Sequence, residues 1–103
     1  MQRAQGDLAA ALTSYQAALA IHVRLAQADP GNAECQRDLA VSYGKVATID
    51  AELGARDQAL DQFRRGREIV ARLARQSPDN ATLPKDLAWF EAQIAALENQ
   101  PTA

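Results

Sequence analysis

The chain has 103 residues, enough for one domain around one core, and its 11 basic and 13 acidic residues leave a net charge of −2. That balance lacks the basic excess that draws proteins to nucleic acid or anionic membranes, so neither is an expected partner. No apolar run approaches the roughly 18 residues that cross a bilayer, no basic segment leads into an apolar core at the N-terminus, and the single cysteine, Cys35, permits no intrachain disulfide. The cytoplasm is the expected compartment.

Abundant Ala, Leu, Gln and Arg, with few aromatic and β-branched residues, favour helix over strand. Residues 1–5 read as the last turn of a helix, with Gly6 supplying a stop after it. A first helix is expected over 7–28, with Leu8, Leu12, Tyr15, Leu19 and Ala26 at helical spacing and Ile21 and Leu25 on a flanking strip. Pro30 and Gly31 end it, and Asn32 is a suitable N-cap for the next helix. A second helix is expected over 33–53, with Leu39, Tyr43, Val46, Ile49 and Leu53 on its apolar side, followed by a turn at Gly54. A third follows over 56–76 with Leu60, Phe63, Ile69, Val70 and Leu73, then a break at Ser77 and Pro78. A fourth runs over 82–98, where Pro84 fits only in the first turn. Residues 99–103 form a tail that is expected to fray.

The chain repeats itself. Displaced by 48 positions it matches itself at 15 of 55 overlapping residues, among them Gly6/Gly54, Leu12/Leu60, Ile21/Ile69, Leu25/Leu73, Pro30/Pro78, Asn32/Asn80 and Ala47/Ala95. A fixed period of this size marks an array of helical units, here 6–53 and 54–98 within one domain, 1–103. The expected fold is all-α, with antiparallel helical hairpins stacked side by side.

The pattern within each copy resembles the tetratricopeptide (TPR) repeat family. Tyr43 fills the aromatic slot of the first helix, Val46 and Ala47 the Leu-Gly slots, and Ala59, Phe63 and Gly66 the second-helix slots. Ala11, Tyr15 and Ala18 fill the second-helix slots in the preceding copy, and Ile94 and Ala95 the Leu-Gly slots in the following one. Asp50 and Glu91 stand where the pattern carries aromatics. The period exceeds the usual value of about 34. Seven extra residues, about two helical turns, between Pro30 and Tyr43 and again between Phe63 and Pro78 account for the excess without rotating either apolar face. The chain looks like a long-helix TPR variant, similar to extended arrays in large bacterial multidomain proteins, of which it would be a fragment.

The resemblance implies a short α-solenoid whose concave side binds an extended peptide or a partner helix. Carried onto this chain, that side would present Arg37, Val41, Gly44, Lys45, Thr48 and Glu52 from the second helix and Lys85, Trp89, Gln93 and Ala96 from the fourth. Trp89 is the strongest anchor among them, because Trp buries a large area at low entropic cost; the competing reading has it cap the end of the core. The alternative is a structural fragment that self-associates and has no dedicated peptide ligand. The first helix is apolar nearly all round, with Asp7 and Arg24 its only charges, so Leu8, Leu12, Tyr15 and Leu19 are expected at the interface of a homodimer.

No catalytic residue, cofactor or metal is expected. His22 is the only histidine and aligns with Val70; Cys35 aligns with Leu83; neither has a sequence neighbour that completes a metal or acid–base set. The chain has no glycine-rich phosphate loop and no Ser-His-Asp set. The arginines of the third helix, with Asp61 and Glu68 among them, read as a solvated face laced by Asp61–Arg65 and Glu68–Arg72 pairs, or as a surface for an acidic partner.

Overall fold

The computed structural model describes residues 2–100, with side chains from Gly6 onward. The end of the expected fraying tail, 101–103, lies outside the described residues. The regular elements are four α-helices: α1 (Gln2–Ala28), α2 (Ala33–Glu52), α3 (Arg56–Gln76) and α4 (Thr82–Glu98). Short links turn each helix back along its predecessor, so that α1 packs on α2, α2 on α3 and α3 on α4. The principal extents of 43 × 29 × 19 Å describe a slab about two helices thick. No helix among the described residues is long and apolar enough to cross a membrane.

The helix ends follow their residues. Asn32 Oδ1 accepts the Cys35 N–H at 3.1 Å, a side-chain cap at the third position of α2. Its counterpart Asn80 accepts the Thr82 N–H at 2.9 Å, and Pro84 falls in the first turn of α4, where no N–H is missed. The two Pro-containing links share one turn: Asn32 N–H bonds to the Asp29 carbonyl at 3.1 Å, and Asn80 N–H to that of Ser77 at 3.0 Å.

The two glycines paired by the repeat behave differently. Gly54 has φ +85°, donates to the Ala51 carbonyl, and lets Ala55 N–H reach the Asp50 carbonyl at 2.8 Å. This is the left-handed stop that satisfies the last carbonyls of a helix. Gly6, expected to break the chain in the same way, is helical inside α1, and residues 2–5 continue into that helix. A glycine costs only about 1 kcal/mol in a helix interior. At Gly54 the chain reverses so that α3 packs on α2, whereas a Cβ at Gly6 meets nothing within 4 Å among the described residues.

The core lies along α3. Ala59, Phe63, Gly66, Val70 and Leu73 form one buried stripe at alternating spacings of four and three, meeting Leu39, Ala40, Ala47, Leu83, Phe90, Ile94 and Leu97. The expected close-approach residues are in place: Ala47 and Ala59 have no exposed surface, and Gly66 lies against Phe90. Leu53, expected on the apolar side of α2, is exposed, because α2 ends one residue before it and Leu53 belongs to the cap. Arg56 donates to the Leu97 carbonyl at 2.9 Å, a cation satisfying the C-terminal turn of α4.

Candidate functional site

A groove of about 380 Å³ opens where α1, α2 and α4 converge, with the inner edge of α3 at its floor. α2 contributes Val41, Gly44, Lys45 and Thr48, which stand at i, i+3, i+4 and i+7 and so share one face of the helix. α4 contributes Asp86, Trp89 and Phe90, and α1 contributes Tyr15.

The groove follows from a difference between the two sequence copies. In the second, the Phe63 ring is covered by Trp89, edge to face with centroids 5.7 Å apart, and Phe63 is fully buried. In the first, the residue paired with Phe63 is Tyr15 and the residue paired with Trp89 is Val41. Valine is too small to cover a tyrosine, so Tyr15 stays 37% exposed on the wall of the groove. Lys45 Nζ lies 5.7 Å from the Tyr15 ring centroid, a cation over an aromatic face. Lys45 has no ion pair among the described residues. Trp89 stands opposite, 42% exposed, its other edge held against Phe90 with centroids 5.1 Å apart. It therefore caps the core and lines the groove at once.

Few hydrogen-bonding groups remain there. The Thr48 hydroxyl donates to the Gly44 carbonyl at 2.8 Å and so serves its own helix. Asp86 accepts from Arg37 Nε at 2.9 Å and from Nη2 at 3.5 Å, a forked pair that ties α4 to α2 at one end of the groove. What is left is an aromatic and aliphatic trough with one unpaired cation on its rim, suited to burying an apolar side chain beside a carboxylate.

Of the residues assigned to the concave side, Val41, Gly44, Lys45, Thr48 and Trp89 are brought together here, and Arg37 closes one end through Asp86. Glu52, Lys85 and Ala96 are exposed and Gln93 is half-buried; none of these four lines the groove. Of the residues assigned to self-association, Tyr15 belongs to the groove, Leu19 packs against the core, and Leu8 and Leu12 are half-buried. Sequence reasoning missed Asp86. Its signal was an opposite charge 49 positions from Arg37, one repeat plus one residue, which sets the two on neighbouring helices at nearly the same height.

The other singled-out residues have structural partners. His22 Nδ1 hydrogen-bonds with Ser42 Oγ, joining α1 to α2, and Ser42 is buried. Cys35 is a half-buried free thiol. On α3, Asp61–Arg65 forms at 2.9 Å, whereas Glu68–Arg72 is not among the ion pairs of the described residues; Arg64 instead reaches Glu98 at 2.7 Å. Comparison with family models, with curated proteins and with solved structures finds no match for this chain.

Proposed function

We propose that the chain is a protein-interaction module of TPR type that takes a short peptide or the face of a partner helix in the groove between α2 and α4. The observation that carries this reading is the pairing of two half-exposed aromatic rings, Tyr15 and Trp89, across a trough whose only unpaired charge is Lys45. Aromatic anchors at the centre of a desolvated pocket supply most of the energy of such contacts. The matching ligand carries a bulky apolar residue with an acidic residue beside it. On this reading the module works in the cytoplasm, where the lone thiol of Cys35 stays reduced, and it needs no cofactor and performs no catalysis.

Selection from a random peptide library on the immobilised chain tests the proposal. Binders are expected to share an apolar-acidic pair, and Trp89→Ala is expected to weaken them roughly tenfold or more. Lys45→Glu should weaken the same peptides, while Ile21→Ser on the outer side of α1 should leave them unchanged. Selected peptides that bind Trp89→Ala as tightly as the parent chain would defeat the reading.

A second reading, self-association through α1, is favoured by one comparison. Ile21 and Leu25 are 49% and 50% exposed, whereas their counterparts Ile69 and Leu73 are 7% and 5% exposed. An apolar pair one turn apart on an open helix face is suited to meeting a second copy. Sedimentation equilibrium distinguishes the readings: this one requires a dimer that Ile21→Glu with Leu25→Glu dissociates, and a monomer at tens of micromolar rejects it.

A further inference from the structure

On the side of α2 turned away from the groove lies a second, polar pocket of about 330 Å³, lined by Gln16 of α1, Asp50 of α2, and Asp57, Gln58, Asp61 and Gln62 of α3. Asp50 is the unusual member. It is only 5% exposed, yet its carboxylate has no hydrogen bond and no ion pair among the described residues. The other two acids are matched: Asp61 by Arg65 at 2.9 Å and Asp57 by Arg56 at 3.6 Å. Gln62 adds a second unmet demand, because its Oε1 is buried without a hydrogen-bond partner. The pocket thus holds one unmatched negative charge and an unmatched neutral acceptor. Asp50 is buried but its oxygens open only into this pocket, so a donor-bearing cation there would meet a carboxylate that is poorly solvated.

The second sequence copy shows which cation fits. The residue paired with Asp50 by the repeat is Glu98, and Glu98 accepts from Arg64 Nη2 at 2.7 Å. The residue paired with Arg64 is Gln16, which lines the Asp50 pocket. The first copy therefore keeps the acid and lacks the guanidinium that answers it in the second. Burial also holds the Asp50 carboxyl above the usual carboxylate range, as expected of an acid whose counter-charge is missing. No group of three or more His, Cys, Asp or Glu among the described residues is arranged to hold a metal ion.

We propose that this pocket binds a guanidinium group, held by the Asp50 carboxylate, with the Gln62 amide turning its buried oxygen into the pocket as a further acceptor. The group completes in the first copy the ion pair that Arg64 and Glu98 make in the second. The planar fork of N–H donors matches a carboxylate and leaves further donors for a turned Gln62 amide, which a hydrated point charge does less well. Two sources supply this chemistry, a free alkylguanidine or an arginine side chain of a protein partner, and the pocket is separate from the apolar groove.

The test is an NMR titration of the full chain, following the Asp50 carboxyl carbon and the Gln62 side-chain amide, with methylguanidinium, the capped tripeptide Ac-Ala-Arg-Ala-NH2, and tetramethylammonium at matched ionic strength. Methylguanidinium is expected to give saturable shifts of both groups by roughly 10 mM, and tetramethylammonium, which has the charge but no N–H, none. Asp50→Asn should weaken binding about tenfold or more. Gln16→Arg should abolish it while leaving the helical spectrum intact, because the new side chain supplies the guanidinium from within. A tripeptide that binds at least as tightly as methylguanidinium identifies a protein arginine as the source; one that fails where methylguanidinium binds identifies a free alkylguanidine. Absence of saturable shifts, equal shifts with tetramethylammonium, or unchanged binding in both Asp50→Asn and Gln16→Arg would overturn the proposal.

Discussion

Gly66→Ala puts one methyl group where α3 meets α4, and its effect can be worked out from the geometry. A Cβ built on Gly66 would lie 2.6 Å from Phe90 Cζ and 3.1 Å from Cδ1, well inside the 3.5–4.0 Å or so of a favourable carbon–carbon contact. The ring cannot simply retreat. Phe90 is 3% exposed, with Trp89 and Phe63 against its other sides at centroid separations of 5.1 and 6.5 Å. Overpacking of this kind costs about 1–3 kcal/mol, while exchanging glycine for alanine inside a helix returns about 1 kcal/mol. Gly6→Ala isolates the second effect, since Gly6 is helical and a Cβ there meets nothing within 4 Å. Urea unfolding followed by circular dichroism and by Trp89 fluorescence should therefore rank Gly6→Ala as neutral or stabilised and Gly66→Ala about 1–3 kcal/mol below it. Trimming the ring with Phe90→Leu should cost less in the Gly66→Ala background than in the parent, a positive coupling in the double-mutant cycle. Equal stability of Gly66→Ala and Gly6→Ala would mean that α3 and α4 do not pack tightly at Gly66 and Phe90.

Three further outcomes follow. Because burial raises the Asp50 carboxyl above its ordinary value of 3.8, the native chain binds that proton more readily than the unfolded one, so stability falls as pH rises through the interval above 3.8 and stays lower at neutral pH. Asp50→Asn should accordingly raise the melting temperature at pH 7, with the gain shrinking to nothing as the pH drops below 3.8; a loss at pH 7 would show that the carboxylate has a partner. Ala59→Leu, at a site with no exposed surface, should cost about 1–3 kcal/mol in a thermal melt, and an unchanged melt would contradict its burial. The Arg37–Asp86 pair is partly open to solvent, so a double-mutant cycle should return about 1 kcal/mol or less, and salt should weaken it; a much larger coupling would mean that the pair organises α4.

The helix boundaries were legible because their residues leave few choices. Pro30-Gly31-Asn32 and Pro78-Asp79-Asn80 favour a stop and a new start, and the displacement of 48 announced the same turn twice. Gly6 shows the limit of that reading: one glycine is a weak stop, and the packing that turns Gly54 into a cap leaves no local trace. On α2 the strip implied by the TPR resemblance coincides with the groove at Val41, Lys45 and Thr48, which share one face of the helix. On α4 the expected strip was rotated. Trp89 is common to both, but the surface that meets α2 is centred on Asp86, Trp89 and Phe90, because the Arg37–Asp86 fork and the Phe90 ring fix the helix about its axis, and that turns Lys85 outward. The burial of Asp50 had one signal, its place in an aromatic slot of the repeat pattern, but a carboxylate on a helix otherwise reads as solvated face until α1 and α3 close over it.

The differences between the two copies explain more of the molecule than their identities do. Both halves use the same helix pairing, but side-chain volume is distributed differently across it. Where α4 carries Phe90, α3 carries Gly66; at the paired positions the first half has Ser42 facing a helix that carries Ala18. The large ring needs the missing methyl, and the small hydroxyl does not. The same exchange separates Val70, buried in the core, from His22, whose Nδ1 needs a polar partner and finds it in Ser42, so the first half holds a polar link where the second holds hydrocarbon. Trp89 seals Phe63, while Val41 leaves Tyr15 open and Lys45 beside it. Arg64 neutralises Glu98, while Gln16 leaves Asp50 unanswered. In the last two cases the second half supplies the partner and the first lacks it, leaving an apolar opening at Tyr15 on one side of α2 and an unpaired carboxylate at Asp50 on the other. They fall on opposite faces of α2, so the apolar groove and the polar pocket share no lining residue and can be altered separately by substitution.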